Sequence, residues 1–404
     1  MPMSAGRWVR LMAAAGFTVA AGFAIVSTAA RALDVQGDDR LAAAISRDTT
    51  HQQWAALSGK MSIGKTALDD ATLARLRTEA VRRPLSAEPY FLTGATRKLK
   101  GDGPGGVRLV DLALSRDPRL LAARYWRMVD AVERGRVADA TDAALRVISL
   151  DQGSILTTIP ILVRLTRSPD SWPKIRAALP AAEAWRENYY NELVAQKVEP
   201  SIVFSAIDAV RASSGKPPSV REQSALLASM TQKADFDRAY TAWLGWLPPE
   251  ALGKVAYLYD GGFTGAPGAT PFNWNFAQSN DGAAVLDREQ GLRFDYSPNA
   301  NMQLAAEMVL MPPGKYRLTS FSTLDQEIGQ DIPFPVAWQV MCLPKRNVVV
   351  SMRLPNSSAR KGIAANFEIA PDCVAQLLTL EGISMEFPVR AGGYVRSVAI
   401  EKAK

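Results

Sequence analysis

The sequence predicts a multidomain chain of mixed class, α plus all-β. An N-terminal apolar segment comes first, then an α-helical solenoid, then an antiparallel β-sandwich of jelly-roll type. Three observations predict this. Residues 11–30 form an uncharged apolar run behind two arginines. Glycine and proline landmarks recur 34 positions apart in the first half. After about residue 255 the apolar pattern changes to period two, the signature of strands. A chain of 404 residues has room for about two to three ordinary domains, and 48% hydrophobic with 22% charged residues is a globular balance.

The N-terminal element rests on Arg7 and Arg10 followed by Leu11 to Ala30. Twenty residues at helical rise match the hydrocarbon thickness of a bilayer. The basic flank keeps the N-terminus in the cytoplasm. Residues 1–33 therefore read as a signal anchor or as a signal peptide cleaved near Ala30-Arg31-Ala32. The run is longer than a usual signal core, which favours the anchor. Either reading carries the rest of the chain out of the cytoplasm. The Ala- and Arg-rich style is bacterial, so the expected address is the periplasm, with residues 11–30 in the inner membrane and a soluble periplasmic form as the alternative. Cys342 and Cys373 stand 31 positions apart. In an oxidising compartment such a pair is expected to form a disulfide, the alternative being two buried thiols.

The helical element, residues 40–250, rests on a 34-residue period. Pro84 and Pro118 close equivalent units, and Gly101 and Gly135 open equivalent turns. One repeat starts at Ala87, with Tyr90 at an aromatic position, Gly94 where two helices touch, Ala113 as the small residue of the second helix and Pro118 at the end. The next starts at Leu121 and keeps Gly135 and Ala140, but has Arg124 for the aromatic, Met128 for the small residue and Gln152 for the proline. Small residues let paired helices approach closely, and glycine ends the first of them. This pattern resembles the tetratricopeptide repeats, strongly over residues 84–152. Further helices are expected over 67–81, 171–198 with a break near Pro180, 201–213, 220–233 and 235–247, up to Pro248-Pro249. Such a solenoid offers a concave surface for a protein partner, or serves as a rigid spacer.

Counting excludes much chemistry. With one histidine, His51, and two cysteines, a His-rich metal site, a four-Cys zinc site and a four-Cys cluster cannot be built. No cofactor is expected. Gly59-Lys60-Met61-Ser62-Ile63-Gly64-Lys65-Thr66 matches the phosphate-binding loop by letter, but no β-branched strand precedes it and the compartment lacks ATP, so it is read as a loop. The net charge of +7 is spread along the chain without a dense basic stripe, which argues against nucleic acid.

The sandwich, residues 271–404, follows an expected linker over 251–270, where Gly261, Gly262, Gly265, Pro267 and Gly268 cluster. Strands are expected over 291–296, 302–311, 314–323, 336–342, 348–354, 367–369, 374–380 and 394–402. The region carries Phe263, then Pro271-Phe272-Asn273-Trp274, Pro313-Gly314-Lys315-Tyr316, Trp338 to Cys342, and Phe367 followed by Pro371-Asp372-Cys373 and Gln376-Leu377-Leu378. In these motifs the chain resembles tetratricopeptide-repeat proteins of bacterial exopolysaccharide and cell-envelope gene clusters, whose C-terminal sandwich is like a carbohydrate-binding module. The resemblance implies a role in polysaccharide assembly or export.

Sugar modules stack aromatic rings on the apolar faces of sugars. The candidate glycan site is Trp274 with Asn273 and Asn275, and Tyr296. Tyr316 and Trp338 are in phase with core residues, and Tyr394 is a further ring on a strand. A glycosidase needs two carboxylates, and Asp287, Glu289 and Asp295 do not single out a pair. The expected function is a non-catalytic periplasmic scaffold for polysaccharide assembly or export. Its repeats would dock a protein partner and its sandwich would touch polysaccharide. The alternative is a protein–protein adaptor with a purely structural sandwich.

Overall fold

A computed structural model describes residues 54, 57–59, 61, 66–253, 255–265, 268–329, 332–386 and 388–403. The expected membrane segment, His51 and most of the segment 59–66 lie outside them. Among the described residues no helix is long and apolar enough to cross a membrane. The chain divides after Ile175 into two compact units.

The first unit contains α1 (Asp70–Arg82), α2 (Glu88–Leu99), α3 (Gly103–Arg116), α4 (Leu121–Glu133), α5 (Val137–Leu150) and α6 (Ile155–Thr166). Asp69 caps α1 by accepting from the Thr72 N–H at 2.7 Å. Helices α2 and α3 form a hairpin, and α4 and α5 form another, with equivalent elements offset by about one period. The first hairpin closes on two glycines. A Cβ on Gly94 would lie 2.7 Å from the Gly106 carbonyl, and one on Gly106 would lie 2.6 Å from that of Gly94. Ala113 and Ala140 are fully buried, and Tyr90 donates to the Pro84 carbonyl. Met128, at a position expected to be small, is also fully buried.

Asp130 ties the hairpins together. Its carboxylate takes Lys98 of α2 at 2.7 Å, Arg134 at 2.9 Å, Arg136 at 2.8 Å and Arg127 at 3.4 Å. Burial opposes the charge, but Lys98 and Arg134 outweigh it and hold the carboxyl below its ordinary range.

The helix Trp172–Ala178, α7, spans the division. The second unit holds α8 (Arg186–Ala195), α9 (Pro200–Ser214), α10 (Val220–Thr231), α11 (Phe236–Leu244) and the short α12 (Pro249–Leu252), followed by ten strands. They are β1 (Asn275–Phe276), β2 (Gly282–Asp287), β3 (Gly291–Tyr296), β4 (Met302–Val309), β5 (Gly314–Leu324), β6 (Val336–Leu343), β7 (Asn347–Arg353), β8 (Lys361–Ile369), β9 (Ala375–Gly382) and β10 (Ala391–Lys402). Two five-stranded antiparallel sheets run β1-β4-β9-β6-β7 and β2-β3-β10-β5-β8. Their inner faces share one core around Phe294, Tyr316, Leu318, Trp338 and Leu380. The Trp338 indole crosses it to donate to Ser320 Oγ at 3.0 Å. The expected disulfide forms between Cys342, at the end of β6, and Cys373, just before β9.

Two expectations are revised. The helices from α8 onward belong to the same compact unit as the sheets, so the helical residues 40–250 are not one continuous unit. The stretch 251–270 is not a free linker. Leu258 and Phe263 enter the sandwich core, and Gly261 accepts from the Val398 N–H. A Cβ on Gly261 would sit 2.0 Å from the Val398 carbonyl, so only glycine fits. The reason for the joining is aromatic. Trp243 of α11 meets Phe272, Tyr240 and Tyr259, while Leu227 and Phe236 pack with Met308 and Ala375 of the first sheet.

Candidate functional site

The sugar platform expected at Trp274 is not there. Trp274 is only 3% exposed, packs against Phe263, Phe276 and Trp338, and donates to the Asp260 carbonyl. Tyr296 is fully buried and donates to the Ala300 carbonyl at 2.8 Å. Asn273 is buried against Gly268, and Asn275 alone is exposed. The polar neighbours of Trp274 gave the sequence an exposed look, but the incoming 258–263 segment covers the ring. Rings held in a core present no face to a ligand.

The open surface is the outer face of the second sheet. Strand β5 alternates strictly, with Tyr316, Leu318, Ser320 and Leu324 inward and Arg317, Thr319, Phe321 and Thr323 outward. The pairing register sets the neighbours across the face. Tyr394 of β10 lies between Arg293 of β3 and Thr323 of β5, and Val285 of β2 lies beyond Arg293. Phe321 lies between Ser397 of β10 and Gly362 of β8. A shift of register between Val395 and Ser397 returns Ser397 to the outer face beside Arg396.

Guanidinium groups frame both rings. Arg293 sits 4.9 Å and Arg396 5.6 Å from the Tyr394 ring, and Arg360 sits 5.2 Å from the Phe321 ring. Arg293 forms a two-bond pair with Asp325 at 2.6 and 2.7 Å, which raises its pKa. Arg396 donates to the neutral amide oxygen of Gln290, which leaves its charge uncompensated by that contact. Phe321 is 42% exposed. Its ring lies over Gly362, where a Cβ would come within 2.6 Å of it. The row beyond is small, with Thr319 beside Ala399 and Ala364.

This face can hold an extended ligand flat. The rings and guanidinium planes offer stacking surfaces, and Thr323, Ser397 and the guanidinium N–H groups offer hydrogen bonds to hydroxyl or carboxylate oxygens. The sequence named Tyr394 as a ring on a strand but gave no sign of Arg293 beside it, because Arg293 is remote in sequence. Period two places alternate residues outside, but it does not reveal which strands become neighbours.

The acidic candidates have structural partners. Asp287 accepts from the Glu289 and Gln290 N–H groups in the β2–β3 turn. Asp295 is bound by Arg390 at 2.6 and 2.7 Å, which holds its pKa below the carboxylate range. Among the described residues no cluster of His, Cys, Asp and Glu is arranged to hold a metal ion.

The sequence matches no protein-family model and no curated protein. By structure, 36% of the chain is similar to 99% of a CBM4 module at 10% identity and a TM-score of 0.28. Similarly, 37% of it matches 99% of a CBM61 module solved with β-1,4-galactotriose, at 13% identity and a TM-score of 0.26. A third likeness, to the C-terminal CBM6 of a marine laminarinase from Zobellia galactanivorans, covers 31% of this chain and 93% of that one at 13% identity and a TM-score of 0.22.

Proposed function

We propose that the chain is a non-catalytic scaffold of the bacterial cell envelope, acting in polysaccharide assembly or export, whose sandwich holds polysaccharide on the outer face of the β2-β3-β10-β5-β8 sheet. The observation that carries this reading is Tyr394 framed by Arg293 and Arg396 on an open sheet face. An aromatic ring beside fixed hydrogen-bond donors is what a sugar ring needs from a protein surface. In this reading residues 11–30 anchor the chain in the inner membrane and the helical hairpins face a protein partner in the periplasm. The Cys342–Cys373 disulfide is in keeping with an oxidising compartment.

A second reading, an adaptor with a purely structural sandwich, is favoured by one observation. Phe321 shields Gly362, which is also how a sheet protects a bare glycine in a strand.

The test is calorimetric titration of the full-length protein with alginate and with a neutral glucan, alongside Tyr394→Ala and Phe321→Ala. The glycan reading expects saturable binding that Tyr394→Ala weakens about tenfold or more. If the folded protein binds neither polymer, the sandwich is structural and the adaptor reading stands.

A further inference from the structure

Helices α3, α4 and α5 of the first unit enclose a groove of about 520 Å³. Six of its lining residues are charged: Asp111, Arg124, Arg127, Asp139, Asp142 and Arg146. By sign alone the lining is neutral. The bonding pattern is not. Asp111 is taken by Arg127 at 3.0 Å, Asp139 by Arg136 at 3.2 Å and Asp142 by Lys174 at 2.6 Å. All three carboxylates are therefore engaged by a cation, Arg127 and Arg136 being shared with Asp130. Two guanidinium groups are left over. Arg124 donates its Nε–H to the Pro118 carbonyl and forms no ion pair among the described residues. Arg146 is exposed, and its guanidinium forms neither hydrogen bond nor ion pair among them, while its carbonyl accepts from Ser149 Oγ. Partial burial lowers the Arg124 pKa, repulsion from Arg146 adds to it, and the charge of Asp117 works the other way.

We propose that this groove binds a segment of a partner protein through a single carboxylate, held between Arg124 and Arg146. Two guanidinium groups without a contact ion pair among the described residues fit a carboxylate, which each can bind through paired N–H groups. The paired aspartates decide the class of ligand. A uniformly anionic polysaccharide in the groove would run against Asp111, Asp139 and Asp142. A polypeptide brings one carboxylate at a chosen point, and its backbone N–H groups find acceptors on those same aspartates. Arg124 stands where the repeat pattern has an aromatic residue, so the departure noted in the sequence is the feature that makes the site. The inference rests on the reading of the helical hairpins as a docking surface and is independent of the sandwich.

The test titrates the full-length protein with acetyl-Ala-Lys-Ala-Ala-Asp amide, which carries one carboxylate. The same peptide with Asn in place of Asp and an oligogalacturonate are run in parallel, and binding is followed by the arginine Nε–H resonances. The expected result is a saturable shift of the Arg124 and Arg146 signals with the acidic peptide alone. Arg146→Gln should weaken that binding about tenfold or more. Arg146 supports nothing in the fold, so this variant keeps the test sound even if Arg124→Gln unfolds. Equal binding of the Asn peptide, or tighter binding of oligogalacturonate, overturns the proposal. Peptide binding that survives Arg146→Gln and Arg124→Gln overturns the groove and leaves docking to another face. No shift with any ligand overturns both.

Discussion

Glu307 shows how one buried side chain can set the pH response of a domain. Its Oε1 accepts from the Tyr259 N–H at 2.8 Å, which fastens the 258–263 segment to β4. Its Oε2 is buried without a partner. Full burial, with nearby Asp260 adding to it, raises its pKa well above the ordinary 4.5, against the stabilising hydrogen bond from Tyr259. Burial and Glu307 also raise the phenols of Tyr240 and Tyr259. A carboxyl with a raised folded pKa contributes stability in full below its unfolded value and loses it as pH rises toward the folded one. Stability to urea should therefore fall above about pH 4.5, by up to about 1.4 kcal/mol per pH unit. Glu307→Gln keeps the acceptor for Tyr259 and removes the charge. It should abolish this slope and be the more stable form at pH 8. Superimposable urea midpoints for the two proteins from pH 4 to 8 would show that the fold does not raise the Glu307 pKa above its unfolded value. Nothing in the sequence marks this residue. A lone Glu on a strand reads as a solvated position, and only the arrival of a distant segment buries it.

At the scale of elements, four helices end in the same way. After α2, α4, α8 and α10 the last turn closes with a bond spanning five residues, from Asp102 to Arg97, Arg136 to Ala131, Val198 to Leu193 and Asp235 to Met230. The residue before each donor is left-handed: Gly101, Gly135, Lys197 and Ala234. The first two were legible as turn glycines, because glycine is the residue that this geometry admits without cost. The other two were not, because Lys197 and Ala234 carry a Cβ into a conformation that costs about 1–2 kcal/mol. The helices were therefore readable from period and composition while half of their stop signals were hidden. Ala234→Gly should relieve that cost. Allowing for the extra freedom glycine has in the unfolded chain, a gain of about 0.5–1 kcal/mol is expected. Urea unfolding monitored at the tryptophan fluorescence of the second unit reads it directly. A loss of stability would mean that the left-handed residue is not under strain.

At the scale of the whole molecule, the decisive feature is that the sandwich does not stand alone. Period two in the sequence located most of the strands, from β3 to β10, and the helical spacing located the helices up to α11 except α6. Neither pattern could show that the two join, because the residues that join them are aromatics of α11 and of the connecting stretch that meet Met308 of β4. Trp243, Tyr240, Tyr259 and Phe272 meet in one cluster with Met308 and Ala375. Trp243 is 2% and Phe272 1% exposed. Burial of one such side chain is worth about 1.5–3 kcal/mol. A fragment that begins at residue 255 leaves Phe272, Tyr259 and Met308 uncovered, together with the outer side of β4 and β9. It should unfold at clearly lower urea than a fragment starting at residue 176, by about 3 kcal/mol or more if two large side chains lose their cover. It should also bind a hydrophobic dye in the folded baseline. Trp243→Ala in the longer fragment should reproduce much of that loss, since cutting a buried tryptophan costs about 3–5 kcal/mol. Equal stability of the two fragments would mean that the helices rest on the sandwich without supporting it. Loss of stability in the shorter fragment would mean that the proposed glycan face on the second sheet depends on helices that bury the opposite sheet. Its binding would then have to be measured on the larger unit.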